Sequence, residues 1–177
     1  MPRKTSDDLK EKWDLYDRNM NICGKQTRSD KVAKNLYHLT VSAFIYDQND
    51  RILLQKRSML KLNHPGKWEA SAGGSVIAGE NSCQAIRREI KEELDLNLNV
   101  SENDFYLRIF KKDWIEDWYA VQTDLNFKDI HPLSSEVQKV DLFNFKDAQT
   151  KLKETGITNN HKELLESFKK IKMNDRF

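Results

Sequence analysis

The most regular pattern of apolar and polar positions in the chain lies over residues 38–46. Apolar residues fill every second position of this stretch: Leu39, Val41, Ala43 and Ile45. A period of two that includes β-branched residues predicts a strand that buries one face. The polar residues 47–50 are typical of a turn, and they lead into a second predicted strand over residues 51–56.

The rest of the chain continues as short extended segments and helical patterns. Further strands are predicted over residues 67–72, 96–100, 105–112, 118–124 and 136–143. Two helices are predicted near the end of the chain, over residues 145–154 and 160–173. Strands interleaved with helices indicate an α/β or α+β fold. A length of 177 residues with 38% hydrophobic residues suits one domain with a sizeable core, so a single domain over residues 1–177 is expected.

A predicted helix in the middle of the chain combines two different faces. Four residues at helical spacing form an apolar stripe: Cys83, Ile86, Ile90 and Leu94. Glu89, Glu92 and Glu93 lie on a neighbouring arc, because each residue advances about 100° around the helix axis. We therefore expect one face to pack on the core and the other to gather carboxylates.

The carboxylate cluster needs a compensating charge, since like charges within one helical turn repel one another. Arg88 supplies one positive charge, and Lys91 projects from a different face. Full neutralisation therefore favours a bound divalent cation. Oxygen ligands without histidine or cysteine point to Mg²⁺, or alternatively Mn²⁺, rather than zinc. A solvated acidic face is the alternative, but the glycine-containing loop over residues 73–79 in front of the helix favours the metal.

The residues around this helix resemble the Nudix box. Gly74, Glu80 and residues 88–93 stand at the spacing of the box, which covers residues 74–96. Asp95 is the one departure, because the family pattern has glycine at that position. Glycine at a helix end supplies a left-handed residue, and aspartate is one of the few other residues that tolerate this conformation. The departure should cost a little stability and leave the carboxylates in place.

The resemblance implies the fold. It selects, within the α/β class, the Nudix α/β/α sandwich with a mixed sheet. Residues 1–36 would be an N-terminal extension to this sandwich, and residues 145–177 would form its C-terminal helices.

The resemblance also implies roles for individual residues. The metal ligands of the family correspond here to Glu89, Glu92, Glu93 and the backbone carbonyl of Gly73. Glu92 would be the general base, and Glu136 in a later loop is the alternative base or an extra ligand, because several Nudix hydrolases recruit a glutamate from that region. The pair formed by Glu80 and Arg88 would brace the loop rather than take part in the chemistry.

Outside the box, the chain is similar to a narrower branch, the Nudix proteins related to isopentenyl diphosphate isomerase. Residues 55–68 contribute to this likeness, and within them Arg57 and Lys61 stand where the isomerase holds its diphosphate. The isomerase cysteine corresponds to Gly73, which cannot transfer a proton, and the isomerase histidine two residues later corresponds to Ser75. The likeness therefore implies hydrolase carboxylates on an isomerase-like frame.

Three residues are candidates for substrate binding. Arg57 and Lys61 suit a diphosphate, since both are cations that bind phosphate oxygens, although two solvated cations on a loop are the alternative. Trp118 follows Glu116 and Asp117, which lie near the position of the catalytic glutamate of the isomerase. Its indole could stack on a nucleobase, and a place in the core or at its rim is the alternative.

Composition narrows the expected partners. A net charge of +2 gives no indication of nucleic-acid binding. No apolar run approaches the ~18 residues of a membrane helix, and the first residues lack the apolar segment of a signal peptide. We therefore expect a cytoplasmic location and a small-molecule diphosphate substrate. Aromatic residues near Trp13 leave a homodimer open, and Cys23 and Cys83 show neither a disulfide framework nor metal-ligand spacing.

The sequence thus predicts a Mg²⁺-dependent pyrophosphohydrolase that cleaves a diphosphate linkage in a nucleoside diphosphate derivative or a nucleotide. One alternative is an enzyme like isopentenyl diphosphate isomerase, which would need another proton donor in place of the missing cysteine. The other alternative is a non-catalytic Nudix module that senses nucleotides. Such modules often lose the box glutamates that this chain retains.

Overall fold

The computed structural model of the protein describes residues 7–124, 126–133, 135–155, 157 and 160–174. Within these residues, nine strands form one mixed sheet. They are β1 (Lys12–Tyr16), β2 (Ile22–Thr27), β3 (Tyr37–Tyr46), β4 (Ile52–Arg57), β5 (Trp68–Glu69), β6 (Ala72–Ser75), β7 (Phe105–Phe110), β8 (Trp114–Gln122) and β9 (Val137–Phe143). The α-helices of the described chain are α1 (Ser82–Leu94), α2 (Phe145–Thr155) and α3 (Asn160–Asn174). Of the helices described, none is both long enough and apolar enough to cross a bilayer.

Strand β3 is the centre of the sheet. Along one edge it pairs in parallel with β8, from His38 opposite Trp114 to Tyr46 opposite Gln122. Along its other edge it pairs antiparallel with β1, β6 and β4 in turn. Strands β6 and β4 therefore separate from each other beside β3. The residues of the candidate site lie around the gap between β6 and β4.

Alternating residues of β3 build the first layer of the core. Its odd-numbered apolar residues are buried in the cluster that also contains the predicted stripe of α1. Ile86, Ile90 and Leu94 have no exposed surface, and Cys83 is 5% exposed. The predicted strand and the predicted packing face of the central helix are both confirmed.

The opposite face of β3 builds the second layer. Phe44 and Tyr46 pack with residues of α2 and α3 in a separate cluster. Helices therefore cover both faces of the mixed sheet, and the predicted α/β/α sandwich is confirmed. The first half of this face carries polar residues instead: His38, Thr40 and Ser42 line a cavity.

The single strand predicted over residues 67–72 is wrong, because Ser71 interrupts it. The Ser71 hydroxyl accepts a hydrogen bond from the Ile45 N–H at 2.7 Å and donates one to the Leu53 carbonyl at 2.5 Å. Ser71 therefore joins β3 to β4 where the two strands part, and β5 ends before it. As a result Gly73 and Gly74 belong to strand β6, opposite Ser42 and Val41, rather than to a loop.

The strand predicted over residues 96–100 is also absent from the described structure. Leu96 and Val100 are buried, as their apolar character suggests. The Val100 carbonyl, however, accepts hydrogen bonds from the side chains of Cys83 at 3.4 Å and Arg87 at 2.5 Å. The segment is thus anchored to α1 by side chains, which replace a neighbouring strand as its partner.

Part of the expected N-terminal extension belongs to the sheet, through the two strands β1 and β2. Strands β1 and β2 form an antiparallel pair, and β1 continues the sheet by pairing with β3. Trp13, Leu15 and Tyr16 are each less than a tenth exposed, so this hairpin contributes to the core. These two strands were not predicted from the sequence.

Helix α1 ends in the predicted conformation. Asp95 adopts φ 58° and ψ 26°, and its N–H donates to the Lys91 carbonyl at 3.0 Å. We expect Asp95→Gly to melt a few degrees above Asp95→Ala, because glycine alone avoids the Cβ penalty of the left-handed region. Both variants lose the ion pair with Lys91. The difference between their melting temperatures therefore measures the cost of the left-handed backbone conformation. Equal melting temperatures by circular dichroism would contradict this explanation.

Candidate active site

Helix α1 presents its carboxylates to strand β6. Glu93 is 4% exposed, and its Oε2 accepts hydrogen bonds from the Gly73 N–H at 3.0 Å and from Gln55 Nε2 at 3.0 Å. In an extended strand, the carbonyl of a residue lies on the same edge as its N–H. Gly73 therefore turns its backbone polar groups away from β3 and towards Glu93.

Gly74 makes room for Glu89. A Cβ atom at residue 74 would lie 2.2 Å from Glu89 Oε1 and 2.3 Å from its Cδ, far inside van der Waals contact. The glycines before α1 indicated a close approach or a positive φ. At Gly74 the structure shows a close approach, and the group that approaches is the carboxylate of Glu89.

Burial makes these carboxyl groups weak acids. It is the largest cause that raises the pKa of Glu89, to about 7, and the Arg88 guanidinium partly opposes the rise. Burial also raises the pKa of Glu93, and the charge on Glu89 raises it further. Two buried carboxylates that repel each other create a site where a cation is electrostatically favourable.

Arg88 pairs with the acidic cluster from one side. Its Nε donates to Glu80 Oε1 at 2.9 Å, so the two residues of the predicted brace do form an ion pair. Its Nη1 also donates to Glu89 Oε1 at 2.8 Å and to Glu92 Oε2 at 3.0 Å. Within the described ranges, no three acidic, histidine or cysteine side chains already converge as a metal-binding group. The Glu89 and Glu92 carboxylates point to the guanidinium instead, so cation binding by these two residues would require them to turn from Arg88.

Six of the eight predicted site residues line one polar cleft of about 230 Å³. Helix α1 contributes Glu89 and Glu92, β6 contributes Gly73, and the segment after β4 contributes Lys61. Arg57, at the end of β4, and Glu136, just before β9, are the other two of these six, whereas Trp118 does not line the cleft. Glu93 lies directly behind Gly73, to which it is hydrogen-bonded. The structure thus brings together residues that lie up to 79 positions apart in the sequence.

Both predicted phosphate-binding cations have carboxylate partners. Arg57 Nη1 donates to the two oxygens of Glu69 at 2.8 and 3.0 Å. Lys61 forms ion pairs with Glu136 and with Asp7, the second at 3.0 Å. A phosphate that binds Arg57 and Lys61 would therefore either displace these carboxylates or bind beside them.

The N-terminal hairpin supplies cleft residues that the sequence interpretation missed. Arg28, at the end of β2, lines the cleft and pairs with Asp7 at 2.8 Å and Glu11 at 3.3 Å. Burial alone would raise the pKa of Asp7, but the Leu62 N–H and the nearby cations lower it to about 2. Apolar residues of β1 were the signal that could have placed these charges near the site.

Two expectations based on tryptophan are corrected by burial. Trp118 has no exposed surface, and its ring stacks on Phe44 with centroids 5.3 Å apart, so it has no free face for a nucleobase. Trp13 is 7% exposed and stacks on His38 within the same chain. The homodimer expectation loses its stated basis and stays a prediction.

Comparisons with known proteins identify the relatives of this chain. The sequence model of the NUDIX domain matches residues 36–168. An uncharacterized Nudix hydrolase of Listeria monocytogenes is 31% identical over 128 residues, which cover 72% of this chain and 76% of that protein. An isopentenyl-diphosphate Delta-isomerase of Serratia proteamaculans is 31% identical over 88 residues, covering 50% of this chain and 49% of that protein.

Solved structures show the same fold. The crystal structure of DR0079 from Deinococcus radiodurans superposes with a TM-score of 0.74 at 18% identity, covering 89% of this chain and 99% of that one. An Ap4A hydrolase from C. elegans, solved as a binary complex, gives a TM-score of 0.59 at 20% identity, covering 77% of this chain and 98% of that one.

The chain belongs to the Nudix family, and among its relatives is the branch that includes isopentenyl-diphosphate isomerases. It is a hydrolase of the class that acts on phosphoric anhydrides, in a family that cleaves diphosphate bonds in nucleotide derivatives. Nudix hydrolases generally use divalent metals such as Mg²⁺.

Proposed function

We propose that this protein is a Mg²⁺-dependent pyrophosphohydrolase that cleaves a diphosphate linkage in a nucleoside diphosphate derivative or a nucleotide. One observation supports the proposal above the others. Glu89 and Glu93 are buried carboxyl groups with raised pKa values, and they lie behind a cleft that also contains Arg57 and Lys61. Acidic metal ligands and basic phosphate ligands thus occupy one site.

The donor set fits Mg²⁺. Glu89, Glu92, Glu93 and the Gly73 carbonyl are all oxygen donors, which suit a hard cation that retains water ligands. Gly74 leaves the space that Glu89 occupies, and a divalent charge would offset the repulsion between the two buried carboxyl groups. Bound there, the metal would polarise the phosphoryl oxygens and acidify a water molecule.

Glu92 is the proposed general base. Its side chain is 54% exposed, so it can reach both the cleft and solvent. Once released from Arg88, its carboxylate can accept the proton of the attacking water. Glu136 is the second candidate, but its carboxylate is already engaged in an ion pair with Lys61.

Arg57 and Lys61 are the proposed phosphate ligands. Arg57 is held in place by Glu69 and by the Asn63 carbonyl at 2.9 Å, so its guanidinium is already oriented beside the cleft. Preorganised cations stabilise the negative charge that develops on a departing phosphate. The neighbouring acids keep both side chains from extending into solvent when substrate is absent.

The isomerase alternative is disfavoured by the space around Gly73. A Cβ atom at this position would lie 2.7 Å from the Val41 carbonyl oxygen, which is backbone and cannot easily move. The chain therefore offers neither the cysteine nor the space for one. The sensing alternative is disfavoured by the retained carboxylates, which a module without turnover would not need.

The proposal is tested by product release from a panel of diphosphates. We expect phosphate, pyrophosphate or nucleoside monophosphate to form from at least one nucleotide, nucleotide sugar or dinucleoside polyphosphate when Mg²⁺ is present. Addition of EDTA should abolish this turnover, and excess Mg²⁺ should restore it. Turnover that persists in EDTA, or no turnover of any panel member with Mg²⁺ or Mn²⁺, would contradict the proposal.

The pH dependence of turnover should change with Mg²⁺ concentration. The Glu89 carboxyl group of the metal-free protein has a raised pKa of about 7, so protons compete with the cation below that pH. We expect the acid limb of kcat/KM to lie near neutral pH at low Mg²⁺ and to move to lower pH as Mg²⁺ is raised. An acid limb that stays fixed across a hundredfold range of subsaturating Mg²⁺ would exclude this linkage.

A further inference from the structure

A second cavity, of about 570 Å³, lies beside the catalytic cleft. The two share Arg28, Arg57 and the glycine pair of β6. A diphosphate bound in the cleft would therefore leave its attached organic group next to this cavity. The volume is within the range of pockets that hold small organic ligands.

The floor of the cavity is the polar half of the sheet face that α2 and α3 leave open. Thr40 and Ser42 of β3 and Glu116 of β8 line it. Thr40 lies opposite Glu116 in the parallel register, and residues two apart on a strand share a face. These three side chains therefore point into the cavity from one surface.

The hydroxyl protons of Thr40 and Ser42 already form hydrogen bonds within the protein. Thr40 donates to the Ile115 carbonyl at 3.0 Å, and Ser42 donates to Glu116 Oε1 at 3.1 Å. A hydroxyl has one proton and two lone pairs, so both oxygens offer the cavity only lone pairs. Burial raises the pKa of Glu116, which the Ser42 hydrogen bond partly opposes, and in its ionised form the carboxylate only accepts hydrogen bonds.

A surface that only accepts hydrogen bonds favours ligands that carry hydrogen-bond donors. Glu116 Oε1 already accepts from Ser42, so a donor group can pair with the other carboxylate oxygen, whereas a hydrocarbon would cover that oxygen and give it no hydrogen bond. Desolvating an unpaired polar group is costly, and sites that rely on a hydrogen bond strongly reject analogues that lack it. The chemistry of the floor thus favours amino or hydroxyl groups over an apolar chain.

We propose that this cavity binds the non-phosphate group of the substrate, and that Glu116, with the oxygens of Thr40 and Ser42, selects a group that donates hydrogen bonds. A nucleobase amino group and the hydroxyl groups of a sugar share this chemistry. Prenyl diphosphates lack it and are excluded. The inference rests on the proposed function for the diphosphate, and it adds Glu116 as a residue that determines specificity.

Binding to the metal-free protein tests the inference without turnover. Isothermal titration in EDTA would compare ADP, CDP and UDP-glucose with geranyl diphosphate. We expect the tightest of the three nucleotides to bind at least about tenfold more tightly than geranyl diphosphate. Glu116→Leu should reduce that preference at least about tenfold, whereas Glu166→Leu, on the exposed surface of α3, should retain it. Purine riboside diphosphate and 2′,3′-dideoxy-ADP would distinguish the amino group from the hydroxyl groups as the donor.

Glu116→Gln keeps the shape of the side chain, so it tests the inference even if the leucine variant does not fold. It removes the charge, so it should weaken nucleotide binding without weakening the binding of geranyl diphosphate. The inference is overturned if geranyl diphosphate binds the unmodified protein as tightly as the nucleotides, or if folded Glu116 variants keep its preference. A failure of hydrolysis alone would defeat the proposed function and leave these affinities interpretable.

Discussion

Replacing Glu89 with glutamine is expected to lower kcat by at least about a hundredfold, which corresponds to about 2.7 kcal/mol of lost transition-state stabilisation. The reason is that Glu89 is the buried carboxylate nearest to Gly74 in the cleft, and glutamine retains its shape but loses the charge that a divalent cation needs. The measurement is steady-state product release at saturating Mg²⁺, with the best substrate of the diphosphate panel.

Stability measurements separate this effect from misfolding. We expect the free energy of unfolding of Glu89→Gln in EDTA to stay within about 1 kcal/mol of the unmodified protein, because the lost ion pair with Arg88 is offset by removing a buried charge. Glu166→Gln, whose side chain is exposed on α3 beside Lys169, is the matched control and should keep full activity. Near-normal turnover by folded Glu89→Gln would remove Glu89 from the mechanism.

The second large effect is expected from Gly74→Ala. The added methyl group would overlap the Glu89 carboxylate, which Arg88 already holds at 2.8 Å. The carboxylate must move out of its site, so kcat/KM should fall at least about tenfold. Overpacking of this kind also costs about 1–3 kcal/mol of stability. Activity and denaturant unfolding of the same preparation measure both effects.

Gly24→Ala is the matched control for this substitution. Gly24 also lies in a strand, and a Cβ atom there would meet nothing within 4 Å. It should keep the activity and the stability of the unmodified protein within about 0.5 kcal/mol. If Gly74→Ala behaves like Gly24→Ala, the close approach of Gly74 and Glu89 has no functional role.

Local patterns predicted the central helix well because its geometry depends on neighbours in sequence. The apolar stripe of α1 has a period of 3.6, so its burial follows from spacing alone. The left-handed Asp95 follows from its place at the helix end. The pair of Glu80 and Arg88 could be inferred from the family likeness, and it also stays within one short segment.

The errors involve contacts between distant segments. Ser71 divides the predicted strand only because its hydroxyl reaches backbone groups of β3 and β4. Trp118 is buried because α2 and α3 cover its half of the sheet face, whereas Glu116, two residues earlier, lines an open cavity. No local sequence pattern indicates which part of the sheet face α2 and α3 cover.

The contacts within the cleft also depend on segments that are distant in the sequence. The pattern identified its carboxylates and two of its cations, but it did not show that Arg88 pairs with Glu89 and Glu92. It also missed Arg28, which the N-terminal hairpin brings to the cleft. Side-chain direction and strand pairing decide these contacts, and neither can be deduced from spacing along one chain.

The most direct test of the central claim is the binding of Mn²⁺, measured by electron paramagnetic resonance at pH 8 without substrate. Mn²⁺ is a spectroscopic substitute for Mg²⁺ at oxygen sites. We expect saturable binding by the unmodified protein and by Glu166→Gln, and an affinity at least about tenfold lower for Glu89→Gln and Glu93→Gln. Equal Mn²⁺ affinities for all four proteins, or no saturable binding by any of them, would contradict a divalent cation site built from the buried carboxylates of α1.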